Sequence, residues 1–145
     1  MDNYESKITR ANAPVEDVYG VLSNLDNLSR VKNLIPEDKV SEIETTPDSI
    51  RFKVNGLGQK VCVRVVEREE NKTIKLGIEN LPVAANFFIQ TKQVAEDDTR
   101  LKLTLRAEIP AMIRMMLGDK LQKGIDTAAE MMAQFPYRQW NAKNA

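Results

Sequence analysis

The sequence contains no histidine, and that absence decides much of what it can catalyse. His-rich zinc sites, Ser-His and Cys-His nucleophile pairs and histidine general bases are all excluded. A reaction on this chain would fall to carboxylate, Tyr, Lys or Arg. The acidic clusters Glu67-Arg68-Glu69-Glu70 and Glu96-Asp97-Asp98 fall at turns and lack the spacing of a metal site, so they read as solvated charge. Asn55-Gly56-Leu57-Gly58-Gln59 resembles a glycine-rich loop, but a phosphate cradle needs a helix next and a strand follows. It reads as a hairpin turn. The single cysteine, Cys62, shares a strand face with Lys60 and Arg64 and reads as an inert strand thiol. No metal or cofactor is expected.

Charge and length narrow the class further. With 145 residues the chain suits one domain, placed at residues 1–136 with a tail over 137–145. Lys and Arg number 21, as do Asp and Glu, and the two signs are interspersed, which argues against a nucleic-acid partner. No apolar run approaches the ~20 residues of a membrane span. The polar, acidic start Met1-Asp2-Asn3-Tyr4-Glu5 does not read as a secretory signal, and one cysteine suits a reducing compartment. The expected location is cytoplasmic.

The elements that must position any site are read from periodicity. Tyr4 to Ala11 alternate as a half-buried first strand. Pro14 opens a helix with Glu16 and Asp17 in its first turn and Val15, Val18, Leu22 and Leu25 on its apolar face. A second short helix is expected from Asp26 through Leu28, Val31, Leu34 and Ile35 to Pro36. From Lys39 the period becomes two and stays so for six strands, separated by turn chemistry at Thr46-Pro47-Asp48, Asn55–Gly58, Glu70-Asn71, Leu81-Pro82 and Glu96-Asp97-Asp98. Short connections join antiparallel neighbours, so the six form a meander with one covered and one wet face. Within Asn86–Val94 the unpaired burial of Lys92 would be costly, which places Phe87, Ile89 and Thr91 inside and leaves Phe88 outside or under a neighbouring strand.

Pro110 to Phe135 then reads as one long helix, with Ile113, Leu117, Leu121, Ile125, Ala128, Met132 and Phe135 on a single stripe and Pro136 as its stop. At ~1.5 Å per residue it measures roughly 38 Å, enough to cross a sheet of seven strands at ~4.8 Å spacing. The expected fold is α+β: a curved antiparallel seven-stranded sheet, β-α-α-β6-α in order, wrapped around the C-terminal helix. Tyr137 and Trp140 are the apolar residues of the tail, which is either held to the surface by them or disordered.

This order, with Ala13-Pro14-Val15-Glu16-Asp17-Val18-Tyr19 after the opening strand and Leu121-Gln122-Lys123-Gly124-Ile125-Asp126 in the closing helix, resembles the START/polyketide-cyclase-like (SRPBCC) superfamily. The resemblance covers about residues 3 to 135 and is one of organisation, without a catalytic signature. It implies the helix-grip fold and a hydrophobic cavity between sheet and helix. The superfamily includes lipid-transfer domains, aromatase/cyclases and a co-chaperone domain, so it implies no single reaction.

Where that cavity would lie, the residues facing it are Phe52, Val54, Val63, Val65, Leu76, Ile78, Phe87, Ile89, Leu103 and Leu105 from the sheet, and Leu117, Leu121, Gly124, Ile125 and Ala128 from the helix. The same set would serve as an ordinary packed core. Tyr4, Ser6, Arg10 and Thr91 are the inward polar candidates, with Arg114 near the helix start. Met112, Met115 and Met116 lie 120–180° from the apolar stripe at about 100° per residue, so a continuous helix cannot bury them all on the sheet. Either the helix begins late, near Gly118, or these methionines form a pocket lip or a partner surface. The expected function is non-enzymatic binding or carriage of a small hydrophobic molecule, lipid-like or aromatic. The alternatives are a cyclase/dehydratase-like enzyme, in which Tyr4 or Arg10 would polarise a carbonyl, and a co-chaperone-like interaction domain.

Overall fold

The computed structural model describes residues 2–30, 40–54, 60–79 and 84–144. Two short strands open the chain, β1 (Asp2–Glu5) and β2 (Thr9–Ala11), followed by helix α1 (Val15–Leu22) and a 3₁₀ segment, Leu25–Arg30. Six strands follow: β3 (Val40–Thr46), β4 (Ser49–Val54), β5 (Lys60–Glu69), β6 (Thr73–Ile78), β7 (Ala85–Ala95) and β8 (Asp98–Ala107). The chain ends in the long helix α2 (Ala111–Gln134) and a short helix α3 (Tyr137–Asn144). The expected continuation of the second helix through Val31, Leu34 and Ile35 lies outside the described residues.

The sheet is the expected antiparallel meander. Its order is β1-β8-β7-β6-β5-β4-β3, with β2 also pairing β8. Alternation places Ile74, Leu76, Ile89 and Leu103 on the concave face, where they pack with Leu25, Ile125 and Ala129. Phe87 faces the same way. Phe88 faces outward, its ring 5.7 Å from Lys75 Nζ and 5.6 Å from Arg106 Cζ, a cation–π arrangement across neighbouring strands. Asn71 takes the left-handed conformation (φ 60°) that the tight β5–β6 turn requires and that Asn tolerates.

The strict period is interrupted at several places, in β3 and β7 among them, and two of the interruptions re-aim an arginine. The opening strand is broken: Glu5 sits opposite Thr104 and Thr9 opposite Leu101, so three residues span the two positions between. Ser6 holds the break, donating its N–H to Leu103 O at 2.8 Å and accepting the Leu103 N–H on Oγ at 2.9 Å. The extra residue reverses the alternation, so Ile8 is exposed and Arg10 turns outward to Asp98 at 3.3 Å. The expected inward placement of Arg10 is thereby corrected. In β5, Val65 pairs Leu76 and Glu67 pairs Lys75, leaving Val66 as the additional residue. Arg68 therefore falls opposite the buried Ile74, on the concave side.

Helix α2 begins at Ala111, after Pro110, and not near Gly118. Met112, Met115 and Met116 are consequently helical and strongly exposed. After Gln134, Phe135 is extended, as suits the residue before Pro136. Residues 137–144 are helical and dock on α1: Tyr137 is buried in a cluster with Ala11, Ala13, Val18, Val21 and Leu101, bordered by Phe135 and Trp140. Phe135 makes tilted ring contacts with Tyr137 at 5.0 Å and with Trp140 at 5.3 Å.

Candidate functional site

The position of α2 decides where space remains. One edge of the sheet holds the helix through polar contacts along its length. Arg114 reaches Asp2 at 2.7 Å, Gln122 donates to Glu5 O at 2.7 Å, and Lys7 N–H donates to Asp126 Oδ1 at 2.8 Å. Thr9 Oγ1 donates to Ala129 O at 3.1 Å, and Lys7 pairs with Glu130. The Asp2 and Asp126 carboxyls are held below their ordinary range, Asp2 mainly by the Arg114 hydrogen bond and Asp126 mainly by the Lys7 backbone N–H. Helix α2 thus lies along β1, β2 and β8. Under its second half the concave face toward β4 and β6 is left uncovered.

A cavity of about 420 Å³ occupies that space. This is within the ~300–1,000 Å³ usual for small-molecule sites. Ile50, Leu76, Phe87 and Ile89 form its floor, and Ala128, Met131, Met132 and Phe135 its helical wall. Val21, Leu22 and Leu25 roof it, together with Asn24 and Asn27, and Tyr137 closes one side. Tyr137 donates its hydroxyl to Met132 O at 2.6 Å, and burial pushes its phenol pKa upward.

The roof is tied to the sheet by the residue that the β5 bulge turns inward. Arg68 donates Nε and Nη2 to Ser23 O at 3.1 and 2.9 Å, donates Nη2 to Pro47 O at 3.0 Å, and pairs with Asp48 at 2.8 Å. Leu25 N–H also donates to Pro47 O, at 3.0 Å. The end of α1, the 3₁₀ segment and the β3–β4 turn are joined at this point.

Of the residues read from the sequence as facing a cavity, Leu76, Phe87, Ile89 and Ala128 line this one. Val63, Val65, Leu103, Leu105 and Ile125 pack in the adjoining core. Phe52, Ile78 and Leu121 are half-buried and stand outside the lining, and Gly124 is exposed, with open space where a Cβ would be. The side chains of Val54 and Leu117 lie outside the described residues. Met112, Met115 and Met116 are not in the lining; at ~1.5 Å per residue they stand about 18–24 Å along the helix from Ala128.

The inward polar candidates are engaged elsewhere. Ser6 holds the strand break, Thr91 donates to Asn71 O at 3.1 Å, and Arg114 pairs with Asp2. Tyr4 packs at the edge of the core, its hydroxyl beside Gly118. The polar lining comes instead from Asn24 and Asn27, which no periodic or motif signal in the sequence marks. In the sequence Tyr137 stands out only as one of two apolar residues in a polar tail; its i, i+3 spacing from Trp140, straight after Pro136, is the signal for a docked helix.

Comparison with known proteins matches folds rather than sequences. No family model matches the chain, and no curated protein matches it. Among solved structures, norcoclaurine synthase from Thalictrum flavum, in complex with dopamine and hydroxybenzaldehyde, is similar with a TM-score of 0.70 at 12% identity, over 99% of this chain and 88% of that one. A conserved protein from Geobacillus kaustophilus is similar with a TM-score of 0.66 at 19% identity, over 95% and 96%. The Aha1 dimer from Colwellia psychrerythraea is similar with a TM-score of 0.59 at 17% identity, over 92% and 98%. Among the described residues no helix is long and apolar enough to cross a membrane. The open antiparallel sheet folded about a long C-terminal helix, matched across nearly the whole chain, is the helix-grip, SRPBCC-like fold.

Proposed function

We propose that this protein binds and carries a small hydrophobic molecule in the cavity between the sheet and the second half of α2. The observation that carries the reading is a space of about 420 Å³ walled by aliphatic, aromatic and methionine side chains. Burying an apolar guest there removes apolar surface from water on both partners, at about 25 cal/mol per Å². Met131 and Met132 supply an adaptable wall that suits guests of varied shape. A protein of the same fold holds two small aromatic compounds, dopamine and hydroxybenzaldehyde, which favours such a guest. We place the activity in the cytoplasm, where the lone Cys62 would stay reduced.

Binding is favoured over turnover. A cyclase- or dehydratase-like reaction needs a titratable group beside the reacting atom. Tyr137 is the ionisable side chain among the described lining residues, and its proton is directed to Met132 O. Tyr4 and Arg10 are not in the lining.

Native mass spectrometry of the protein isolated from its own cytoplasm tests the reading, followed by titration of stripped protein with apolar probes. A co-travelling small molecule is expected, released by Ala128→Phe, which fills the cavity. Failure of stripped protein to bind any fatty alcohol, sterol or aromatic polyketide would overturn it.

A further inference from the structure

We propose that Met131 is an oxidation site that controls the cavity: conversion of its thioether to the sulfoxide by hydrogen peroxide loosens the hold on an apolar guest. This rests on the proposal that the cavity binds a hydrophobic molecule, and adds a means of release.

Position singles out one methionine. Helix α2 carries five of the six in the chain, at 112, 115, 116, 131 and 132. Met112, Met115 and Met116 are 75%, 88% and 70% exposed, but they stand outside the lining, where oxidation does not touch the guest. Met132 lines the cavity but is half-buried and packs against both core clusters. Among the described methionines Met131 alone combines the two properties: it is 53% exposed and forms part of the cavity wall. The other exposed residue of the described lining is Asn24, so the mouth lies between the end of α1 and this turn of α2. Met131 is met there both by an oxidant from solvent and by a guest that enters or leaves.

The chemistry needs peroxide alone. The thioether sulfur attacks one peroxide oxygen, an S–O bond forms as the O–O bond breaks, the sulfur gives up two electrons, and the other oxygen leaves as water. A flexible apolar side chain becomes a polar one with a strong acceptor oxygen. The wall around it, Ala128, Met132 and Phe135, has no side-chain donor, and the Tyr137 hydroxyl is already given to Met132 O. The sulfoxide therefore either turns to solvent and withdraws from the wall, or faces the cavity with its oxygen unpaired against the guest. Both weaken apolar binding. Sulfoxide reductases reverse the step, which makes it a switch.

The test exposes full-length protein to graded peroxide and titrates it with N-phenyl-1-naphthylamine, an uncharged aromatic fluorophore, while peptide mass spectrometry follows each methionine. The Kd of the probe is expected to rise at least fivefold in step with the Met131 sulfoxide, and to recover after treatment with methionine sulfoxide reductases. Saturating probe should slow oxidation of Met131 at least threefold and leave Met112 and Met115 unaffected. The variant Met131→Leu should lose the peroxide response, whereas the triple variant Met112→Leu, Met115→Leu, Met116→Leu should keep it. Oxidation of Met131 without a change in Kd, no protection by the probe, or an equal response in Met131→Leu would overturn the proposal while leaving a cavity that binds. Untreated protein that binds neither this probe nor 1-decanol would remove the binding reading itself, and the switch with it.

Discussion

The two sides of α2 are built by opposite means. Toward β1, β2 and β8 the helix is held by directional polar contacts, from Arg114 near its start to Glu130 near its end, over a dense layer containing Ala129 and Leu103. Toward β4 and β6 it presents Ala128, Met131 and Met132 to open space, with apolar lining in place of polar anchors among the described residues. Adjacent residues, Ala128 and Ala129, belong to different regimes. The helix stands off the sheet on one side because it is drawn down on the other, and small side chains where it turns away keep the gap from filling.

This contrast breaks most readily under truncation. Leu103→Ala removes a fully buried side chain from the dense side and should cost about 2–5 kcal/mol. Leu76→Ala, beside an existing void, should cost less by about 1 kcal/mol or more, because the void can absorb the change. Paired urea denaturations check this, and equal losses would mean that the two sides are packed alike.

Enlargement should have the reverse pattern. Ala129→Leu should lose about 1–3 kcal/mol by overpacking the cluster it shares with Leu103 and Ile125. Ala128→Leu should stay within about 0.5 kcal/mol of the parent while weakening guest binding. Thermal unfolding and a binding titration on the same two proteins separate these effects.

A smaller loss, about 0.5–1.5 kcal/mol, is expected for Thr9→Val, which deletes the hydroxyl donated to Ala129 O. Guest affinity should not move, since Thr9 is outside the lining.

The smallest effect is a pH dependence confined to the anchored side. Asp126 has a carboxyl pKa below the ordinary 3.8, chiefly through the Lys7 N–H and then Gln122. A lowered folded-state value means that its contribution is complete above 3.8 and is lost as the pH falls through the folded value. The urea midpoint should therefore drop below about pH 4, and drop less in Asp126→Asn. Equal acid sensitivity in the two proteins would remove Asp126 from the anchor.

Much of this architecture is legible in the sequence. Strict alternation in Leu101, Leu103 and Leu105, or in Ile74, Leu76 and Ile78, gives both the strand and its inward face, and turn residues separate the strands. The site is less legible, for two reasons. A bulge adds one residue without a compositional mark, so Arg10 and Arg68 each end on the face opposite to the one plain alternation assigns. The cavity also depends on which edge anchors the helix, and that is set by contacts between residues more than a hundred positions apart, such as Lys7 with Asp126 and Gln122 with Glu5. Helical periodicity gives the stripe from Leu121 to Met132 but not the height at which it rides above each strand.

The extra residue at Val66 also makes the roof vulnerable to a lesion that leaves every cavity side chain intact. One further residue inserted between Glu67 and Arg68 would reverse the parity that Val66 sets, swing the Arg68 guanidinium into solvent, and unfasten α1 from the β3–β4 corner. A frame-preserving insertion far from the guest would then accelerate its escape, and a retention assay would register what an inventory of contact residues misses.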